Sequence, residues 1–299
     1  QLIALVLLYL LMNACASRPG ISSRQFKKYV ERSPIFEKNF TGFALYDTGL
    51  DEMVYTYQSD KYYTPASNTK IFTLYAGLKM LGDSIPALHY QVKNDSLVFT
   101  GTGDPTFLHP DIRSIDTTYN HRVYNFLRES DYKLAYAERP TVDDYFGPGW
   151  AWGDYNYYYS SEKSVFPMYA NVVRFQFKEN ITKPFPYPSY FNSFIAGFPN
   201  AAQSSYLVRD QHQNTFRYGT KPDTLAFVRD VPFIQSTSLT VDLLRDTLKQ
   251  RVRNLPDYFG DLTDTLYSLP VDSIYKRMIQ PSDNFVAEQL LLVCSATRR

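Results

Sequence analysis

Residues Thr64-Pro65-Ala66-Ser67-Asn68-Thr69-Lys70 lead directly into an apolar run from Ile71 to Leu81. Within the run, Ile71, Leu74, Tyr75, Leu78 and Leu81 recur at helical spacing, which predicts a helix that buries this face. At about 100° per residue Ser67 and Lys70 project toward the same face, so a buried helix start would present a hydroxyl beside an amine. Pro65 suits an extended lead-in, and Gly82 is expected to supply the left-handed residue that closes the helix. Serine is a weak nucleophile at its free pKa and needs an adjacent base; lysine can be that base only where burial or nearby positive charge keeps it partly neutral. Taken alone, Ser-x-x-Lys arises by chance, and its ordinary meaning is an N-cap serine followed by a solvated lysine.

A second element lies at Ser282-Asp283-Asn284. Val271, Ile274, Tyr275, Met278 and Ile279 form one apolar helical face, Pro281 interrupts it, and Ala287, Leu290, Leu291 and Cys294 form the next. A tight turn between two helices can hold a hydroxyl and an amide rigidly at a cleft wall. Its ordinary meaning is a helix cap, since Ser, Asp and Asn are the favoured N-cap residues.

Together the two elements match two of the three motifs of penicillin-interacting serine enzymes, Ser-x-x-Lys and Ser-Asp-Asn; the third, Lys-Thr-Gly, is absent from the 299 residues. More of the chain resembles one branch, the D-alanyl-D-alanine carboxypeptidase/endopeptidase family typified by penicillin-binding protein 4. The similar stretches are Tyr63 to Lys70, Gly101-Thr102-Gly103-Asp104-Pro105, Gly147-Pro148-Gly149-Trp150-Ala151-Trp152-Gly153-Asp154, and Pro281 to Glu288, in the family's order. The resemblance covers the chain from roughly residue 40 onward and implies an α+β fold, the penicillin-recognising transpeptidase/β-lactamase-like sheet-and-helix domain. It further implies a serine DD-peptidase acting on peptidoglycan stem peptides. Ser67 would be the nucleophile, Lys70 the base, Ser282 a proton relay and Asn284 a ligand of the substrate amide. β-Lactams would be inhibitors, and no metal or organic cofactor is implied.

Within the third stretch, Trp152 and Asp154 are the residues expected to face substrate. The family has two acidic or amide residues after the second tryptophan, whereas Gly153 stands first here, so Asp154 alone carries over. A glycine-rich turn with packing tryptophans is the structural alternative. Gly103-Asp104-Pro105 reads as a structural turn.

The composition, 44% hydrophobic and 20% charged over 299 residues, supports one large or two ordinary domains. A net charge of +1 offers no polyanion footprint and argues against a nucleic-acid partner. The 26 Tyr and 21 Phe suit a carbohydrate- or peptide-lined groove, or simply an aromatic core. His89, His109, His121 and His212 are scattered, and no Cys/His cluster has metal-ligand spacing.

Leu2 to Met12 is too short to span a membrane and fits a signal-peptide core. It runs into Leu11-Met12-Asn13-Ala14-Cys15-Ala16-Ser17, which resembles a bacterial lipoprotein box with Cys15 as the lipidated residue; an ordinary secretory signal is the alternative. Either reading predicts export to the periplasm, with a possible lipid anchor to the membrane. Cys294 would then be left without a disulfide partner and is expected in the core. Gln1 in place of Met, and the short stretch after Asn284, lead to the expectation of a fragment. Such a fragment would lack the Lys-Thr-Gly strand and half of the oxyanion hole, and would acylate poorly.

Thr41 to Asp47 and Met53 to Tyr57 read as two strands joined through Gly49-Leu50-Asp51. Far more chain separates Ser67 from Ser282 than a compact β-lactamase arrangement needs. The expected organisation is therefore a signal segment 1–15, a linker 16–25, a discontinuous catalytic domain 26–88 and 268–299, and an inserted module 89–267. Within the insert, Ser96 to Thr100 and Val172 to Phe177 read as strands, Lys183 to Pro188 as a loop or edge segment, and Thr240 to Val252 as a helix. Two other functions stay open at this level: a non-catalytic wall-binding lipoprotein with a degenerate site, and a β-lactamase-type hydrolase.

Overall fold

The computed structural model describes residues 23–112, 121–139, 144–199, 206–220 and 225–297. The expected signal segment 1–15, with Cys15, and most of the expected linker lie outside them. The described chain divides into two compact units between Ala66 and Ser67.

The first unit holds helices α1 (Ser23–Glu31) and α2 (Pro34–Lys38) and the strands β1 (Phe43–Asp47) and β2 (Glu52–Tyr57). The strands pair antiparallel as the expected hairpin, Phe43 opposite Tyr57. The Asp47 carboxylate accepts from the backbone N–H groups of Gly49 and Leu50, an aspartate turn that holds the connection. Phe26 of α1 stacks on Phe43 and Tyr55, so an aromatic contact ties helix to hairpin.

The second unit begins with a 3-10 turn, Ser67–Thr69, that runs into α3 (Lys70–Met80). Then follow β3 (Ser84–Lys93), β4 (Ser96–Gly101), α4 (Arg122–Arg128), β5 (Lys133–Ala137), β6 (Val172–Phe177), β7 (Phe185–Tyr187), β8 (Ile195–Phe198), β9 (Leu207–Arg209), β10 (Phe216–Gly219) and β11 (Phe227–Pro232). The chain ends through α5 (Thr237–Leu248), β12 (Val252–Leu255), β13 (Asp264–Pro270), α6 (Val271–Ile279) and α7 (Asn284–Ala296).

Five strands form one mixed sheet in the order β12-β5-β4-β3-β13, with two three-stranded sheets, β11-β6-β7 and β8-β10-β9, beside it. The β3-β4 hairpin supplies the antiparallel centre, while β4 to β5 and β5 to β12 are parallel pairs. The parallel β5–β12 pair is reached through the long excursion that ends in α5, as a parallel crossover requires. Positions 88/89 and 267/268 fall within β3 and β13, which pair with each other in this sheet.

The apolar side chains segregate into two main clusters. One joins the sheets and α5 through Phe99, Phe175, Phe191, Phe216, Phe233 and Leu244, all fully buried; each stabilises the unit by about 1.5–3 kcal/mol relative to exposure. The other, Ile85, Ile112, Leu269, Ile274, Met278, Val286, Leu290 and Val293, packs α6 and α7, with Leu74 of α3 and Leu81 just beyond its end against it. Cys294 is buried as expected, and burial pushes its thiol up.

Several sequence expectations hold and others need correction. β4 and β6 lie where strands were expected, and the proline-rich stretch contributes β7 at a sheet edge, where a missing N–H is tolerated. The helix expected over 240–252 starts earlier, capped by the Ser236 hydroxyl, which accepts from Leu239 N–H. It stops at Lys249, which adopts φ 51, and Val252 belongs to β12. Helix α3 ends at Leu81 in an extended conformation, and Gly82 is not left-handed.

The buried face of α3 also differs. Lys70, Thr73 and Gly77 are buried, whereas Ile71, Tyr75 and Leu78 are exposed. Gly77 explains the rotation: a Cβ there would stand 2.8 Å from the Tyr275 ring, so the side of α3 without bulk is the side that meets α6. Ile279 and Leu291 are likewise exposed at the rims of α6 and α7.

Candidate active site

Helices α3 and α7 pack together and bring the two motifs into contact. Lys70 is 6% exposed, and its Nζ donates to Ser67 Oγ at 3.1 Å and to Asn284 Oδ1 at 2.5 Å. Ser67 is exposed, in contrast to the buried hydroxyl expected, so the hydroxyl meets solvent while the amine behind it does not. Burial pushes the Lys70 pKa below its ordinary 10.5, against the opposing pull of Asp283 and Glu288. A buried amine held 3.1 Å from a hydroxyl can take its proton when neutral.

The Ser282-Asp283-Asn284 turn is built between α6 and α7. Asp283 caps α7: its Oδ1 accepts from Val286 N–H at 3.1 Å, and its own N–H donates to the Met278 carbonyl. Ser282 has φ 61, a left-handed conformation that a side chain disfavours by roughly 1–2 kcal/mol. Its Oγ is buried without a hydrogen-bond partner. Asn284 is the first residue of α7, which is why its amide reaches Lys70.

Behind the turn runs an alternating row of charges absent from the sequence-derived site. Asp283 Oδ2 accepts from Arg277 Nε at 3.0 Å and lies 2.8 Å from Arg277 Nη2 as an ion pair. Arg277 also donates to Asp111 Oδ2 at 2.8 Å, and Arg174 donates to Asp111 Oδ1 at 2.7 Å and to both oxygens of Asp230. Burial pushes Asp111 up, but the hydrogen bond and charge of Arg174, with Arg277, outweigh it and hold its carboxyl below the usual range. His109 beside this row is pushed down to about 4 by burial and stays neutral. Apart from Arg277 and Asp283, the members lie far apart in the chain, so no local motif marks them.

Gln289, fully buried, is a second element that motif reading passed over. Its amide donates to the carbonyls of Gly103 and Ser164 and accepts from Ser164 N–H, which locks α7 to two loops. Gly103 has φ 97, and a Cβ there would stand 2.8 Å from the Leu292 side chain, so the Gly103-Asp104-Pro105 turn is structural as expected. One helical position before Gln289, Glu288 faces Lys163 at 3.8 Å.

Trp152 and Asp154 do not join the hydrogen-bonded cluster of Ser67, Lys70 and Asn284. They lie in a 3-10 turn, Trp152–Asp154, in which Trp152 is 78% exposed. Trp152 lines a separate cavity of about 420 Å³ with Trp150, Tyr155, Glu162 and Arg209. A larger cavity of about 1200 Å³ opens at the opposite end of α3, beside Met80 and Leu81, and includes neither Ser67 nor Lys70. Among the described residues no group of three or more His, Cys, Asp or Glu is placed to hold a metal ion.

A mixed α+β unit in which a helix starting at Ser-x-x-Lys meets a Ser-Asp-Asn turn defines the class, the penicillin-recognising serine-enzyme fold. Residues 23–218 match the family described as D-Ala-D-Ala carboxypeptidase 3 (S13), and the chain belongs to that family. Comparison with curated proteins gives no match. Among solved structures the chain is similar to penicillin binding protein 4 (dacB) from Haemophilus influenzae, at 16% identity and a TM-score of 0.62 over 93% of this chain and 66% of that one. A second structure of that protein, complexed with a novel beta-lactam, aligns at 16% identity and a TM-score of 0.54 over 91% and 63%. The chain thus spans just under two thirds of the length of these neighbours.

Proposed function

We propose that the chain acts as a serine-type D-Ala-D-Ala carboxypeptidase/endopeptidase on peptidoglycan stem peptides. The observation that carries this reading is the placement of Lys70, buried, with its pKa lowered by burial, and bonded at once to Ser67 and Asn284. Ser67 Oγ attacks the carbonyl carbon of the penultimate D-alanine while its proton passes to neutral Lys70. The C–N bond breaks, Ser282 relays a proton to the leaving amine, and water then hydrolyses the ester. Asn284 holds the substrate's backbone amide. The unpartnered Ser282 hydroxyl supports a relay role, since an orphan buried hydroxyl is otherwise a cost.

Penicillins would acylate the same serine. The reading includes a discontinuous catalytic domain around an inserted module, substrate contacts from Trp152 and Asp154, and export to the periplasm with Cys15 as a lipid-anchored residue.

Labelling of the intact gene product with a fluorescent penicillin, alongside Ser67→Ala, tests the acyl-enzyme, and D-alanine release from a D-Ala-D-Ala peptide tests the substrate. Ser67-dependent labelling with D-alanine release is expected. Absence of labelling in folded protein overturns an enzymatic reading, and rapid penicillin turnover without D-alanine release points to a β-lactamase instead.

A further inference from the structure

We propose that Arg277 is a positioning residue for the Ser282-Asp283-Asn284 turn, and that the ion pairs behind it tie the turn to the β6–β11 sheet. The inference rests on the roles assigned above to Lys70 and Asn284.

The geometry carries it through Asp283. One carboxylate oxygen of Asp283 caps α7 and the other accepts from Arg277 Nε–H and is ion-paired with its Nη2, so the side chain is held from both sides. A guanidinium that donates from Nε to Asp283 and from Nη2 to Asp111 fixes direction as well as distance, which a single point charge does not. The next residue is Asn284, whose amide oxygen holds the Lys70 amine, and the preceding one is Ser282 in its left-handed conformation. A change in the Asp283 rotamer is therefore passed to both neighbours.

Arg277 is held in turn. Asp111 bridges it to Arg174, and Arg174 is paired bidentately with Asp230 of the neighbouring strand. Arg174 lies on β6 and Asp230 on β11, in a stretch the sequence assigns to the inserted module. The row is half-buried throughout, where screening is weaker than at the surface. Arg277 also neutralises Asp283, the negative charge that acts most strongly on Lys70; the other is Glu288, itself beside Lys163. Loss of Arg277 would loosen the turn and unmask that charge together.

The test compares Arg277→Met, Arg277→Lys and Asp111→Asn in the intact protein, with penicillin acylation resolved into an affinity for the initial complex and a rate constant for ester formation. A displacement of about 1 Å at a reacting group can cost on the order of 100-fold. Arg277→Met is expected to lower the rate constant about 10- to 100-fold, with a smaller loss of initial affinity through Asn284. Arg277→Lys should recover part of the loss, and Asp111→Asn, which preserves shape, should show a smaller loss of the same kind. If Arg277→Met fails to fold, the other two variants carry the comparison.

A readout independent of activity is the Lys70 Nζ to Asn284 Oδ1 distance in a crystal structure of a folded variant, expected to lengthen beyond hydrogen-bond reach. Folded variants that acylate at the wild-type rate, with that distance unchanged, overturn the proposal. A wild-type protein that never acylates overturns the functional reading instead, and the distance then decides the positioning role.

Discussion

Lys70 Nζ lies 2.5 Å from Asn284 Oδ1, although 214 positions separate the two residues in the chain. The amine is thereby bound to a neutral acceptor rather than to a carboxylate. An amide accepts a hydrogen bond from either protonation state of the amine, whereas a carboxylate would favour the ammonium form.

The first prediction follows from this neutral partner. Lys70→Arg keeps a charge at every accessible pH and should lower Ser67 acylation about 100-fold or more without unfolding the protein. In the wild type, acylation should rise with pH along a limb centred below 10.5, because burial lowers the Lys70 pKa and the neutral amine is the active form. Near-normal labelling of folded Lys70→Arg would place the base elsewhere.

Asn284→Asp should act in the opposite direction on the same limb. The substitution puts a negative charge in hydrogen-bond contact with Nζ, which favours the ammonium, so the limb should move to higher pH. Asn284→Ala removes the acceptor without adding charge and should not move it upward. A limb insensitive to Asn284→Asp would mean that the titrating group is not Lys70.

Asp154 is expected to recognise a free amine on the stem peptide, as a carboxylate beside tryptophan can pair with an ammonium. Asp154→Asn should then reduce turnover of amine-bearing stem peptides more than of their acetylated forms, measured as kcat/KM. Equal loss on both would assign Asp154 a structural role.

Asp104 should make stability fall with rising pH. Burial pushes its carboxyl from 3.8 up to about 6, and the hydrogen bonds from Thr106 only partly offset this. The folded form holds the proton more tightly than the unfolded form, so the contribution is fully present below 3.8 and is lost as pH rises through about 6. A shift of this size corresponds to about 3 kcal/mol as an upper figure. Urea unfolding should show Asp104→Asn gaining on the wild type at about pH 8 but not near pH 4; a constant difference at both would refute the assignment.

The chemistry of the site was more legible in the sequence than its packing. Ser67, Lys70 and Asn284 were visible because each sits in a short motif, Ser-x-x-Lys or Ser-Asp-Asn, whose internal spacing is local, although Lys70 and Asn284 lie 214 positions apart. The buried face of α3 was not, because hydropathy favours the Ile71-Tyr75-Leu78 stripe, whereas the close approach of Tyr275 selects the Gly77 side. Helix α5 overran for a related reason: Val252 continues the four-residue repeat, but the left-handed Lys249 has already turned the chain into β12. The Arg277–Asp111 contact spans 166 positions, and an arginine near a helix C-terminus reads in sequence as an ordinary helix-end charge.

The start of α7 at Asn284 also has an electrostatic consequence. A helix carries partial positive charge at its N-terminus, from peptide dipoles aligned along the axis. The Lys70 amine is bound at the first residue of this thirteen-residue helix, within the reach of that field. The field disfavours a second positive charge there and so adds to burial in favouring the free amine, while Asp283 at the cap moderates it. The same helix that supplies the amide for Lys70 thus also helps set its proton affinity.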